Sequence, residues 1–184
     1  MMIKGFTGHE SRIEGLHVID LEIRHGVGGW EKESYHAEKL YQLGLPKMDA
    51  VQHNLSFNSE IGVTRGLHAE PWEKFVSLAA GRILGAWVDL RAGPGFGRVM
   101  TLELTPAKAV FIPRGVANGY QTLENDVLYS YLVNAHWSPS SQYTCVNLFD
   151  PSLAIPWPVP MGEAIVSEKD ARMPMLRDIK PLVL

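Results

Sequence analysis

The chain has 184 residues, of which 46% are hydrophobic and 20% charged, and it carries a formal net charge of −3. That length suits one domain with a sizeable core, the balance excludes wholesale disorder, and mild acidity without a Lys/Arg-rich run leaves no electrostatic footprint for nucleic acid or an anionic membrane. Cys145 is the single cysteine, so no disulfide can close within the chain; the start MMIKGFTGHESR lacks the apolar stretch of a signal peptide, and no run approaches the roughly 18 apolar residues of a membrane span, so a cytoplasmic protein is expected.

In chain order, GLHVIDLEI sets Leu16, Val18, Ile19, Leu21 and Ile23 at strand-like intervals and runs into the Gly-rich turn HGVGG. The stretch EKESYHAEKLYQLGLP is rich in helix formers, offers Tyr35, Leu40 and Leu43 as a partial apolar face, and stops at Gly44 and Pro46; it predicts a helix. From there the chain reads as β. VQHNLSF, GVTRGLHAE, EKFVSLAAGRILGAWVDL, VMTLELT, AVFIPRG, NGYQTLE and VLYSYLVNAHW follow at short intervals with Gly, Pro or Asn between them, the spacing of a sandwich or barrel. Gly85 is expected to mark a bend or bulge. From Pro156 onward prolines mix with charges, which predicts a tail laid over the surface. There is no internal repeat. The organisation expected is one domain over 1–184, with a core at about 48–158 and a tail at 159–184.

A small barrel with an open mouth can hold one ligand between inward-facing polar groups. On a regular strand, Val63, Arg65 and Leu67 face one way while Thr64, Gly66 and His68 face the other, so Arg65 and His68 cannot share a cavity. A kink at Gly66, where no Cβ limits the backbone, would bring both in. Taken singly, each polar residue here has a bland reading. His68 fits a satisfied core histidine, Lys74 a solvated lysine at a strand edge, Asp150 a turn former before Pro151, and Tyr129 and Tyr131 packed aromatics with bonded hydroxyls.

In order and spacing, VQHNLSFNSEIGVTRGLH, EKFVSLAAGRILGAWVDLRAGPGFGR, VFIPRGVANGYQTLENDVLYSY and FDPSLAIPWP resemble the dTDP-4-dehydrorhamnose 3,5-epimerase family, over residues 26–158. The resemblance implies an all-β, cupin-type jelly-roll barrel with a few short helices and an extended C-terminal tail, paired into homodimers through its sheets and working without a cofactor. It implies a dTDP-4-keto-6-deoxy sugar as substrate, inverted at C3 and C5 through an enolate. Members that invert one carbon share the same catalytic residues, so a single-centre epimerase or ketoisomerase is the alternative. In some relatives the epimerase precedes a dTDP-sugar reductase, and MLRDIKPLVL is similar to the linker between them, so a fused or associated reductase is also implied.

Residue by residue, the resemblance makes His68, in RGLH, the general base, a role that neutral imidazole fills well because its ordinary pKa of about 6.5 lets it accept a proton near neutrality. It pairs that base with Asp150, in the DP motif, to fix the tautomer and stabilise the imidazolium. Tyr131 becomes the acid on the far face of the sugar, with Tyr129 its nearest rival. Lys74 becomes the cation that stabilises the enolate oxygen. For binding, Arg65 matches a diphosphate contact, Gln52 and Asn54 line the sugar-diphosphate pocket, Glu33 reaches the thymine region, and Trp137 supplies a stacking surface.

Two positions depart from the family pattern. Its phosphate-binding arginine aligns with Gly28, leaving Arg24 or another subunit to replace it. Its GxAHGF histidine is Asn118, which can still donate and accept hydrogen bonds but cannot carry charge. That second change weighs against a metal-dependent cupin, which needs several converging imidazoles, where this chain offers HAE and PRGVAN; no metal is expected. A non-catalytic sugar-nucleotide-binding protein would have no use for a base and an acid set in opposition.

Overall fold

The computed structural model describes residues 5–138, 141 and 143–184. Strands dominate, as the short apolar runs require: β1 (Thr7–Glu10), β2 (His17–Asp20), β3 (Ile23–Gly26) and β4 (Gly29–Lys32) precede helix α1 (Ala37–Gln42). They are followed by β5 (Gln52–Asn58), β6 (Val63–Ala69), β7 (Lys74–Ala80), β8 (Ile83–Asp89), β9 (Val99–Leu104), β10 (Lys108–Ile112), β11 (Val116–Thr122) and β12 (Val127–Val133). The rest is sparser: β13 (Thr144–Cys145), a 3-10 turn (Pro151–Leu153), β14 (Ile165–Val166), helix α2 (Glu168–Ala171) and a second 3-10 turn (Leu176–Asp178).

Apart from the two-stranded β3–β4 hairpin, the strands form two sheets, in the orders β1-β2-β10-β7-β12-β5 and β13-β6-β11-β8-β9, with β14 added in parallel to β6. Between them lies the main core, where Val76, Leu78, Val110 and Tyr129 of the first sheet meet Ile83, Trp87, Leu104 and Tyr120 of the second. Each sheet is also covered outside, which explains why β7 and β11 bury almost every residue rather than alternating. Leu40, Leu45 and Met48, on and after α1, cover Phe75 and Phe111 of the first sheet. Trp157, Leu176, Ile179 and Leu182 cover Leu67, Val88 and Ala117 of the second.

The helix is shorter than its composition suggests. Glu31 and Lys32 pair with Arg24 and Ile23 in the β3–β4 hairpin, whose two-residue connection, Val27 and Gly28, uses a φ of +81° at Gly28. The hairpin takes the first residues of the expected helix, and α1 begins only after His36, whose Nδ1 accepts from the Lys39 N–H. Gly85 is no bulge: it pairs regularly with Tyr120 and Leu102. Glycine is needed there for space, because a Cβ would lie 2.5 Å from the Trp87 ring.

The segment after Pro158 does more than lie over the surface. Ile165 pairs with Val63, α2 follows at once, and near the chain end Leu182 exchanges backbone hydrogen bonds with Leu90 and Ala92.

Candidate active site

The irregularity that both Arg65 and His68 require is present in β6. Asn118 of β11 pairs with His68 and Tyr120 with Arg65, so one intervening residue on β11 faces two, Gly66 and Leu67, on β6. That extra residue is a bulge, and it turns Arg65 and His68 to the same cavity. Gly66 adopts φ +118°, and a Cβ on it would lie 2.5 Å from Gly119 Cα and 2.7 Å from the Asn118 carbonyl oxygen. Only glycine fits a site that is both left-handed and this close to the next strand.

The cavity, of about 190 Å³, is lined by Ser56, Arg65, Gly66, His68, Glu70, Lys74, Asn118, Tyr120, Tyr129 and Tyr131. It is smaller than the roughly 300–1,000 Å³ that encloses a whole drug-sized ligand, so it suits one end of an extended substrate. His68 comes from the second sheet, while Lys74 and Tyr131 come from the first. A planar group held between the sheets therefore has a base on one wall and a phenol on the other.

The carboxylate partner of His68 is Asp170, not Asp150. His68 Nε2 lies 2.8 Å from Asp170 Oδ1, and Asp170 Oδ2 also accepts from the Gly66 N–H. Burial alone would raise the Asp170 carboxyl, but the hydrogen bond from His68, with further donors from Gly66 and Ser167, holds it below the usual carboxylate range. Asp150 is occupied elsewhere. It caps the Pro151–Leu153 turn, accepting at Oδ1 from the Ser152 N–H and hydroxyl at 2.8 and 2.6 Å, and at Oδ2 from the Leu176 N–H at 2.6 Å. Burial opposes ionisation there too, and these donors outweigh it. The turn-former reading of Asp150 describes its geometry, and the pairing with His68 does not hold. Asp170 did leave a sequence signal. SEKD at 167–170 is an N-cap serine followed three residues later by an acid, and Ser167 Oγ does accept from the Asp170 N–H at 3.0 Å. In a capping box that acid would turn back to the cap; here its carboxylate turns to His68 instead.

Lys74 is buried and ion-paired to Glu70, with Nζ 4.7 Å from the centroid of the Tyr131 ring. The sequence gives no signal of this pairing, because HAE reads there only as an incomplete metal motif. Tyr131 is half-buried; burial first, and then the charge of Glu70, push its hydroxyl above the ordinary phenol value. Tyr129 is deeper. It stacks on Tyr120 at 4.3 Å, its oxygen accepts from Asn118 Nδ2 at 3.1 Å, and burial raises it well above the ordinary value. A phenol so enclosed is tied to packing, whereas Tyr131 faces open space.

The expected binding residues are only partly gathered. Arg65 Nε donates to Asn58 Oδ1 at 3.0 Å, which fixes the guanidinium at the cavity mouth. Asn54 sits opposite Tyr131 across β5 and β12, and it accepts from Gln52 Nε2. Gln52 Oε1 accepts from the backbone N–H of Trp137, whose side chain is exposed. These three extend the site along the first sheet. Glu33 stands apart. It pairs with Lys39 and lines a different cavity with Phe6, Asp20 and Arg24. Arg24 is engaged with Glu22 and Glu31, at 3.7 and 3.5 Å. Among the described residues, no group of three or more His, Cys, Asp or Glu converges as a metal site.

A two-sheet jelly roll enclosing an imidazole–carboxylate dyad on one wall and a phenol with a buried ammonium on the other defines a proton-transfer isomerase. A sequence profile of the dTDP-4-dehydrorhamnose 3,5-epimerase family matches residues 10–178. An RmlC homolog of Streptococcus pyogenes is 46% identical over 177 residues, covering 92% of this chain and 89% of that protein. The structure of RmlC from Streptococcus suis in complex with dTDP-D-xylose superposes with a TM-score of 0.92 at 43% identity, over 97% of this chain and 95% of that one. RmlC from Legionella pneumophila, in complex with dTDP-4-keto-L-rhamnose, superposes with a TM-score of 0.85 at 30% identity, over 95% of each chain. The chain belongs to the dTDP-4-dehydrorhamnose 3,5-epimerase family.

Proposed function

We propose that the protein converts dTDP-4-dehydro-6-deoxy-D-glucose to dTDP-4-dehydro-L-rhamnose, inverting C3 and C5 in the synthesis of dTDP-L-rhamnose. The observation that carries this reading is the opposition of His68 and Tyr131 across one cavity, in a chain of this family. With Nε2–H donated to Asp170, the lone pair of His68 is on Nδ1, and that nitrogen removes the proton beside the C4 carbonyl. The charge developing on the carbonyl oxygen is met by cationic donors in a partly dehydrated cavity, Lys74 foremost. Tyr131 then returns a proton from the opposite wall, which inverts the centre; return from the His68 side would restore it. Arg65 at the mouth is placed for the diphosphate, and Gln52, Asn54 and Trp137 continue the surface outward.

The same reading includes a homodimer. The outward face of edge strand β5 exposes Leu55 and Phe57, each at 60%, an apolar strip suited to a second copy. It also includes a reductase, fused or associated, since the 4-ketone must be reduced to give the deoxyhexose.

The test is solvent deuterium incorporation at C3 and C5 of dTDP-4-keto-6-deoxyglucose, followed by NMR with exhaustively chelated protein. Exchange and inversion at both carbons are expected without metal. Exchange at one carbon only would replace the reading with a single-centre epimerase. Loss of activity on chelation, rescued by added metal, would overturn the cofactor-free mechanism.

A further inference from the structure

Glu70 and Lys74 are joined by the short connection between β6 and β7, strands that belong to different sheets. The connection is held from both sides. Trp72 is buried, the Glu73 N–H donates to Asn134 Oδ1, and Asn134 Nδ2 returns a bond to Glu73 Oε2, both at 2.9 Å. The ion pair this produces is mostly shielded, with side-chain exposures of 8% for Lys74 and 16% for Glu70. Two long charged side chains held this firmly keep a fixed geometry, unlike a surface pair that water and salt loosen.

We propose that Glu70 is a positioning residue for the acid side of the site: its carboxylate fixes the Lys74 ammonium against the Tyr131 ring and, by its own negative charge, keeps the phenol in its proton-donating form. Without a counterion, a buried ammonium beside Tyr131 would favour the phenolate, and an acid that has lost its proton cannot complete an inversion. Glu70 offsets that attraction while leaving Lys74 in place for the enolate oxygen. The other ionisable groups around Tyr131 are Tyr120 on β11, Tyr129 on its own strand and Tyr143, with His68 and Arg65 on the facing wall. Beyond burial, Glu70 is the leading influence that raises the Tyr131 hydroxyl. Tyr131's part as acid rests on the epimerase reading above; the charge arrangement around its ring does not.

The experiment titrates Tyr131 in the resting protein, from the difference in phenolate absorbance between each protein and its Tyr131→Phe counterpart. Glu70→Gln removes the charge at nearly constant shape and should lower the Tyr131 midpoint by about one pH unit. With substrate, the alkaline limb of inversion should move down with it. Glu70→Asp keeps the charge and should leave the midpoint within a few tenths of wild type. Lys74→Gln, which leaves Glu70 unopposed, should raise it and supplies a reading even if Glu70→Gln does not fold. An unchanged midpoint in Glu70→Gln, an equal drop in Glu70→Asp, or no rise in Lys74→Gln would overturn the assignment. A wild-type protein that exchanges neither C3 nor C5 would overturn the epimerase reading and leave the titration result standing.

Discussion

His68 Nε2 and Asp170 Oδ1 lie 2.8 Å apart although 102 positions separate them in the chain. The carboxylate that orients the base thus arrives from a four-residue helix in the C-terminal segment, while Asp150 fastens the same segment by accepting from Leu176.

The two aspartates should therefore fail differently. Asp170→Asn keeps the shape but cannot stabilise an imidazolium and can hold the wrong tautomer, so deuterium exchange should fall on the order of 10²–10⁴-fold with little change in substrate affinity. Asp150→Asn should cost about 1–3 kcal/mol of stability, because the Leu176 N–H loses a charged acceptor, while exchange per folded molecule stays near wild type. Single-turnover exchange and denaturant unfolding on both variants make the comparison. A catalytic collapse in Asp150→Asn with a normal Asp170→Asn would restore the pairing that the DP motif implies.

Their titration gives a pH dependence with a definite sign. Both carboxyls sit below the ordinary aspartate value of about 3.9 in the folded protein, so their stabilisation is fully present above that pH and is lost as pH falls through the folded values. The stability gap between wild type and Asp150→Asn should accordingly be largest near neutrality and shrink below about pH 4. Thermal unfolding at a series of pH values measures it. A gap that widens on acidification would mean that Asp150 is not held ionised by its donors.

Gly66→Ala tests the bulge. The added Cβ meets Gly119 Cα and the Asn118 carbonyl oxygen, both backbone atoms that cannot step aside, at a φ that alanine disfavours. A loss of about 3 kcal/mol or more is expected, with exchange lost even in the fraction that folds, since Arg65 and His68 can no longer share a cavity. Equilibrium unfolding and exchange at low temperature would check both parts; a stable, active variant would show that the bulge does not set the geometry.

Much of this was legible in the sequence, for reasons that differ by residue. Short apolar runs between glycines and prolines carry the two-sheet fold, and the parity conflict between Arg65 and His68 calls for the irregularity at Gly66 that β6 contains. What could not be read depends on long-range choices. Asp150 and Asp170 are both aspartates in the C-terminal third, each with a local hydrogen-bonding signature, DP and SEKD, and only the path of the chain past β14 decides which one faces the imidazole. The surroundings of Glu33 and Glu70 are hidden in the sequence for a related reason. A carboxylate's role depends on the cation it meets, Lys39 in one case and Lys74 in the other, and no pattern along the chain announces either pair.

The two tyrosines of β12 separate acid from scaffold. They sit two residues apart on one face, yet Tyr129 is enclosed, its oxygen taking a hydrogen bond from Asn118, while Tyr131 borders the cavity beneath Lys74. Tyr131→Phe should leave His68 and the enolate stabiliser in place, so deuterium still enters C3 and C5, while inversion falls on the order of 10²–10⁴-fold. Tyr129→Phe strands a buried amide donor and should cost about 1–3 kcal/mol of stability with inversion near the wild-type rate. NMR separates the two, because retained and inverted centres give different ring-proton couplings while deuterium loss is read at each carbon. If Tyr129→Phe abolishes inversion and Tyr131→Phe does not, the proton must come from the Tyr129 phenol, which also lines the cavity, and the open phenol would be left with a binding role only.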